Sequence, residues 1–193
     1  NSNLRSLKIF IIATGIETDD DIREFTELCE FIGSFKTKKR IYFSITPLVR
    51  FPHTPLESEP APEVDIIRSV VDKIAKVCRM TGFEFREAAE ANEYFVSQIL
   101  VRGDERVWSC MKRASKSGNF IYYDNVSQQF ADDFRKELKT AGVNIKKILA
   151  GDNEETSYLS KAGRFDFGIK SGFLEKIRLK CLLSIIEPGS SGK

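Results

Sequence analysis

The sequence predicts an α/β protein, in which two strands joined by a helix precede a mainly helical remainder, and three observations carry that prediction. An apolar run, Ile9-Phe10-Ile11-Ile12-Ala13, enters a turn at Thr14-Gly15 and then an acid-rich helix start at Glu17-Thr18-Asp19-Asp20-Asp21. A second β-type run spans Ile41 to Thr46. Beyond a proline-rich segment, apolar residues recur mostly at helical rather than strand spacing.

The elements follow in order. Thr18 is the expected N-cap of the first helix, with Asp19, Asp20 and Asp21 set against the positive end of the helix dipole. Ile22, Phe25, Leu28, Cys29 and Ile32 form its apolar stripe, and Gly33 is the expected stop. Five prolines between Pro47 and Pro62 bar that segment from interior strand or helix, because each removes a backbone donor. It is read as a boundary, with a plain linker and an ordered role at the strand ends equally open. Glu63 to Met80 then reads as an amphipathic helix with Val64, Ile67, Val70, Val71, Ile74 and Val77 inward, closed by Gly82. Phe83 to Arg86 alternates like a strand. Helices are expected at about Glu90 to Val101, Asp104 to Ser117 and Ser127 to Ala141, the last two opened by Asp104 and Ser127 and followed by Gly118 and Gly142. Gly151 to Thr156 is a polar turn, a last helix is expected from Ser171 to Leu183, and residues 187–193 have the composition of a flexible tail.

Composition narrows the function classes. A chain of 193 residues that is 41% hydrophobic has ample material for a core. Thirty basic against twenty-eight acidic residues leave a net charge of +2, so no global field argues for nucleic acid or an anionic membrane. No apolar run approaches the roughly 18 to 20 residues that span a bilayer. Four scattered cysteines do not resemble a secreted disulfide framework, which makes a cytoplasmic, reducing setting the expectation.

Four segments, in order along the chain, carry a family resemblance. The unit Ile9 to Ile22 is similar to a fifth barrel strand ending in a Gly-x-Pro-x-Glu-Thr-like turn. Arg40 to Pro47, followed by Leu48-Val49-Arg50-Phe51-Pro52-His53-Thr54-Pro55-Leu56, is similar to a sixth strand running into a Pro-x-Pro-His-Thr-Pro-like segment. Leu100-Val101-Arg102-Gly103-Asp104-Glu105-Arg106 and Phe165 to Glu175 are similar to two stretches of the same group's C-terminal region. Together they resemble the C-terminal part of a radical S-adenosylmethionine enzyme, of the group associated with cobalamin binding.

The resemblance implies a closing β-α-β portion of a partial (β/α) barrel and a Pro-rich connector in residues 1–62. It implies a mainly helical accessory region in residues 63–186, ahead of the tail. Thr14, Gly15, Glu17 and Thr18 then line a cofactor wall at the strand end, where such folds place ligands. Gly15 would let backbone approach a bound adenosine, and Glu17 and Thr18 match the family's Glu-Thr pair. Ala13, Gly15 and Ile16 depart from its glycine-proline-glycine pattern, and helix capping is the competing account of Glu17 and Thr18. The parent would use S-adenosylmethionine and a [4Fe–4S] cluster, and by the same resemblance cobalamin.

This chain lacks the C-x3-C-x2-C ligand loop of that family. Cys29, Cys78, Cys110 and Cys181 lie tens of residues apart, and Cys29 and Cys78 fall on apolar stripes as buried thiols would. No cofactor or metal is therefore expected on the isolated chain; the cluster ligands would lie upstream of Asn1. The opening Asn-Ser-Asn, without methionine, agrees with a fragment. The implied partners are the remainder of the barrel and a substrate that the residues do not identify.

Other constellations have sufficient structural readings. His53 is the single histidine and sits among prolines, which favours a structural place over a catalytic one. Arg102-Gly103-Asp104 reads as a glycine C-cap followed by an aspartate N-cap. Phe120 to Tyr123 beside Lys112 to Lys116 could form an RNA surface, but a core cluster beside a solvated helix end is the preferred reading. The competing class for the whole chain is a non-enzymatic module binding RNA, substrate or a regulatory partner.

Overall fold

In the computed structural model the described residues are 5–35, 39–52, 54–57, 59–116 and 125–151, together with 176, 177 and 179. They form a mixed α/β protein with three strands and six helices in the order β1 (Ser6–Ala13), α1 (Asp19–Ser34), β2 (Arg40–Pro47), α2 (Val64–Met80), β3 (Glu84–Glu87), α3 (Ala91–Arg102), α4 (Glu105–Ser115), α5 (Gln128–Thr140) and α6 (Ile145–Ala150). The sheet has the order β1-β2-β3 and is parallel throughout. Ile9 pairs with Phe43 and Phe43 with Phe85, so one face collects Ile9, Ile11, Ala13, Phe43, Ile45 and Phe85. Side chains alternate across a strand, and Lys8, Phe10, Ile12, Tyr42, Ser44, Glu84 and Arg86 therefore occupy the other face.

Two compact units are present. The first draws on the described residues of Asn1–Val49, Pro62–Ser97 and Gly118–Asp133. Its core joins the first sheet face to Cys29 of α1, to Ile67, Val70, Val71, Ile74, Val77 and Cys78 of α2, and to Tyr94 of α3. Phe43, wholly buried, meets Phe25 and Phe83 edge-on at 5.3 and 5.5 Å between ring centroids, a geometry that suits the aromatic quadrupole. The α2 helix earns its place by pattern, since its apolar residues line one face and bury against the strands.

The second unit draws on the described residues of Arg50–Ala61, Gln98–Ser117 and Phe134–Lys193. Ile99, Val107, Cys110, Ala114, Phe134, Leu138, Ile148 and Leu149 are buried in it. Three polar side chains, Arg50, Gln98 and Arg102, are buried as well.

Several expectations need correction. Gly33 does not stop α1, which runs to Ser34 with Phe35 as C-cap; Gly33 has no left-handed backbone and its α-carbon faces open space. Leu28 is 47% exposed, so the inward stripe of α1 is the buried Cys29 with the half-buried Ile22, Phe25 and Ile32. The sheet does not end at β2: α2 crosses over to β3, which pairs with β2 and makes β2 the central strand. Asn144 caps α6 through Lys147 N–H, and Gly151 closes it at φ +79°, an element the sequence reading left out. The expected helix from Ser171 to Leu183 lies almost wholly outside the described residues.

Candidate functional site

The four residues singled out from sequence share one turn at the carboxyl end of β1. Glu17 folds back over that turn, its carboxylate accepting from the Thr14 N–H, the Thr14 hydroxyl at 2.8 Å and the Gly15 N–H at 2.7 Å. Thr18 caps α1 in a reciprocal box: its hydroxyl accepts from Asp21 N–H at 3.3 Å, while its own N–H and hydroxyl donate to the Asp21 carboxylate at 2.6 and 2.7 Å. Those two donors hold the Asp21 carboxyl below its ordinary value. Glu17 and Thr18 thus each have a structural task that needs no ligand.

Gly15 is held by its neighbours too. Its φ is +82°, and a Cβ there would overlap Pro62 Cγ, stand 2.7 Å from Pro62 Cβ and 3.2 Å from the Ile67 side chain. Tyr94 fixes Pro62 by donating its hydroxyl to the Pro62 carbonyl at 2.8 Å. The close approach that requires glycine is therefore to the end of the Pro-rich segment. Ala13 and Leu48 tie the ends of β1 and β2 through a 2.8 Å backbone bond. Ile16, 55% exposed, is the apolar side chain this turn offers outward.

A second polar grouping lies at the carboxyl end of β3, where a cleft of about 250 Å³ is lined by Arg68, Val71, Asp72, Glu87, Glu90, Ala91 and Asn92. Partial desolvation, with Glu90 and Asp72 nearby, raises the Glu87 carboxyl above its ordinary value. Arg68 donates to Asn92 at 3.1 Å, and Asn92 donates to Gln128 at 3.1 Å. Sequence reasoning missed this cleft because its residues come from three elements.

In the second unit, Arg102 places its guanidinium among backbone carbonyls: Leu149 at 3.1 Å, Leu56 at 3.3 Å, and Glu57 and Glu59 both at 2.7 Å. One turn earlier Gln98 accepts from the Arg50 N–H at 2.8 Å and donates to the Arg50 carbonyl at 3.2 Å. The four-residue spacing of Gln98 and Arg102 on a helix rich in apolar residues was the available signal for this pair. Gly103 is required here, since a Cβ would stand 2.6 Å from the Ile99 carbonyl and overlap Val107. Asp104 caps α4 through Arg106 N–H at 2.9 Å, the N-cap role expected of it; Gly103 is not left-handed, and its small size answers to Ile99 and Val107 rather than to a C-cap turn.

Cys29 and Cys78 are wholly buried. Burial, then the neighbouring Cys29, pushes the Cys78 thiol up to about 11, and burial raises Cys29. Cys110, also buried, receives an Arg113 N–H at 3.2 Å. Among the described residues no three His, Cys, Asp or Glu side chains gather as a metal-holding group. His53, Phe120 to Tyr123, Phe165 to Glu175 and Cys181 lie outside the described residues. Among those described, no helix is long and apolar enough to cross a membrane. No family model, curated protein or solved structure matches the chain.

Proposed function

We propose that the chain is a C-terminal portion of a radical S-adenosylmethionine enzyme of the cytoplasm. It contributes part of a partial-barrel wall and an accessory region for substrate or partner, with the [4Fe–4S] site upstream. One observation carries this reading furthest. Two segments on which the resemblance rests, one around Phe51 to Leu56 and one around Leu100 to Arg106, belong to the same compact unit, where Arg102 bonds the carbonyls of Leu56, Glu57 and Glu59. Their presence in one chain then has a physical reason: a buried guanidinium closes onto the segment that leaves β2. The parallel β-α-β-α-β order is also what a barrel wall requires.

The described thiols do not fit a cluster, because Cys29 and Cys78 sit in the core and Cys110 lies against Arg113. Ligation is assigned upstream, and no step runs through these residues. In the whole enzyme the cluster would supply the electron for reductive cleavage of S-adenosylmethionine. The present residues do positioning work: Glu17 and Thr18 shape the strand end, while Gln98 and Arg102 hold the connector. Cobalamin rests on the group resemblance alone.

The test is the complete reading frame and its product. The expected result is an upstream C-x3-C-x2-C and, after anaerobic reconstitution, formation of 5′-deoxyadenosine from S-adenosylmethionine under a strong reductant. The 193-residue chain, treated identically, should bind no stoichiometric iron. A reading frame without the cysteine motif, or cluster absorbance on the 193-residue chain abolished by cysteine substitution, would refute the proposal and favour a non-enzymatic binding module.

A further inference from the structure

The two faces of the sheet differ in chemistry. Ile9, Phe43 and Phe85 belong to the face on which α1 and α2 pack. On the other, the register sets Lys8, Tyr42 and Glu84 in one row across the three strands and Phe10, Ser44 and Arg86 in the next, with Arg40 beside Ser6 in the row before them. Phe10 is 69% exposed. Cations stand over both rings. Lys8 Nζ lies 4.4 Å from the Phe10 ring centroid; around Tyr42 the guanidinium carbons of Arg86 and Arg40 lie at 4.8 and 5.7 Å and Lys8 Nζ at 5.9 Å, all within the range of cation–π attraction. Glu84 accepts from Arg86 Nε at 2.7 Å and from Arg40 Nε at 2.8 Å. One carboxylate thus orients two guanidinium groups at the Tyr42 ring, and the three cations still outnumber it.

Parallel sheets usually carry helices on both faces, but an apolar helix laid here would strip water from Lys8, Arg40, Glu84 and Arg86, and burying charged groups is costly. The face offers instead an open aromatic ring among fixed cations, the combination on which bases stack while phosphates are neutralised. We propose that this face binds single-stranded nucleic acid, with a base stacked on Phe10 and phosphates held by Lys8, Arg40 and Arg86. An acidic peptide would answer the charge and leave the ring unused, and a duplex keeps the faces of its bases inside its own stack. The chain's small net charge of +2 does not oppose this, because the positive field is local to the face. With α1 and α2 packed on the opposite side, this is the inner face of the wall in the proposed function, and the strand is there the substrate. That role rests on the proposed function; the binding does not depend on it.

Fluorescence anisotropy of a labelled single strand of about 12 nucleotides, titrated with the 193-residue chain at several salt concentrations, tests this. The expected result is binding whose log affinity falls with log salt at a slope of about −2, from three phosphates at roughly 0.7 each. Phe10→Ala should weaken binding about 10-fold or more with the slope unchanged, and Phe10→Trp should keep it. Lys8→Gln should weaken binding and flatten the slope by about 0.7. Both positions are exposed, so the melting temperature should hardly move in these variants. Absence of binding, equal affinity for an abasic strand, for a duplex of the same length or for a single nucleotide, or binding unaltered by Phe10→Ala would each overturn the proposal. Strand binding by a complete product that forms no 5′-deoxyadenosine would support this face while refuting the radical-enzyme reading. A product that forms 5′-deoxyadenosine and binds no strand would refute this face alone, so the two fail separately.

Discussion

Gly15 and Arg102 are each held by groups distant in sequence. Gly15 combines φ +82° with the Pro62 ring where a side chain would go, so Gly15→Ala should cost about 1–3 kcal/mol through backbone strain and overlap. Thermal unfolding checks this, and adding Pro62→Ala should relieve the overlap with Pro62 Cγ but leave Pro62 Cβ at 2.7 Å and the backbone strain. Unchanged stability in Gly15→Ala would mean that the turn is not packed against Pro62. Arg102 serves four carbonyls, and a methionine there would leave the buried Leu149 carbonyl and three partly buried ones without their donor. A buried acceptor left unsatisfied costs about 1–3 kcal/mol and a partly buried one less, so Arg102→Met should lower stability by roughly 2–3 kcal/mol. The same variant should speed exchange of the Ala61 N–H, which bonds the Leu149 carbonyl at 2.7 Å. Arg102→Lys should recover little, because an ammonium lacks the planar fork.

At the scale of the element, α1 is the clearest case of local chemistry deciding structure. Its cap needs only Thr18 and Asp21, three residues apart, and Thr18→Ala should cost about 1 kcal/mol. The pH dependence has a definite sign. Asp21 has a depressed carboxyl in the folded chain, so its contribution is present above the unfolded carboxylate value of about 3.9 and disappears as pH falls through the lower folded value. The melting-temperature difference between the parent and Asp21→Asn should be largest near neutrality and close to zero in strong acid. A difference independent of pH would show that the ionised carboxylate does not act as the cap. Glu87 has the opposite sign: its raised carboxyl favours the fold below the unfolded value, and that contribution is lost as pH rises through the folded one.

At the scale of the molecule, the core protects its thiols. In a Cys181→Ser variant, Cys29, Cys78 and Cys110 should react with an aromatic disulfide reagent at a rate set by opening of the fold, and should all be released in denaturant. Rapid labelling of Cys78 in the native protein would contradict its burial. Much of the architecture was legible beforehand: β1, the Thr18 cap, the inward face of α2 and the Asp104 cap that opens α4. Each depends on periodicity or on hydrogen bonds reaching no further than about one helical turn. What only the tertiary structure decided involves partners far apart in sequence. Whether Phe83 to Arg86 joins the sheet depends on β2, and whether Leu28 is covered depends on what lies beside α1. Gly15 owes its small size to Pro62 as well as to its backbone angle, and Arg102 finds its acceptor at Glu59, 43 residues away. The amino-acid order alone determined the α/β class and the Thr18 and Asp104 caps, because those follow from local geometry. The folded chain decided that β3 joins β2 and which carbonyls the arginine holds, because burial and hydrogen-bond satisfaction are properties of groups brought together in space.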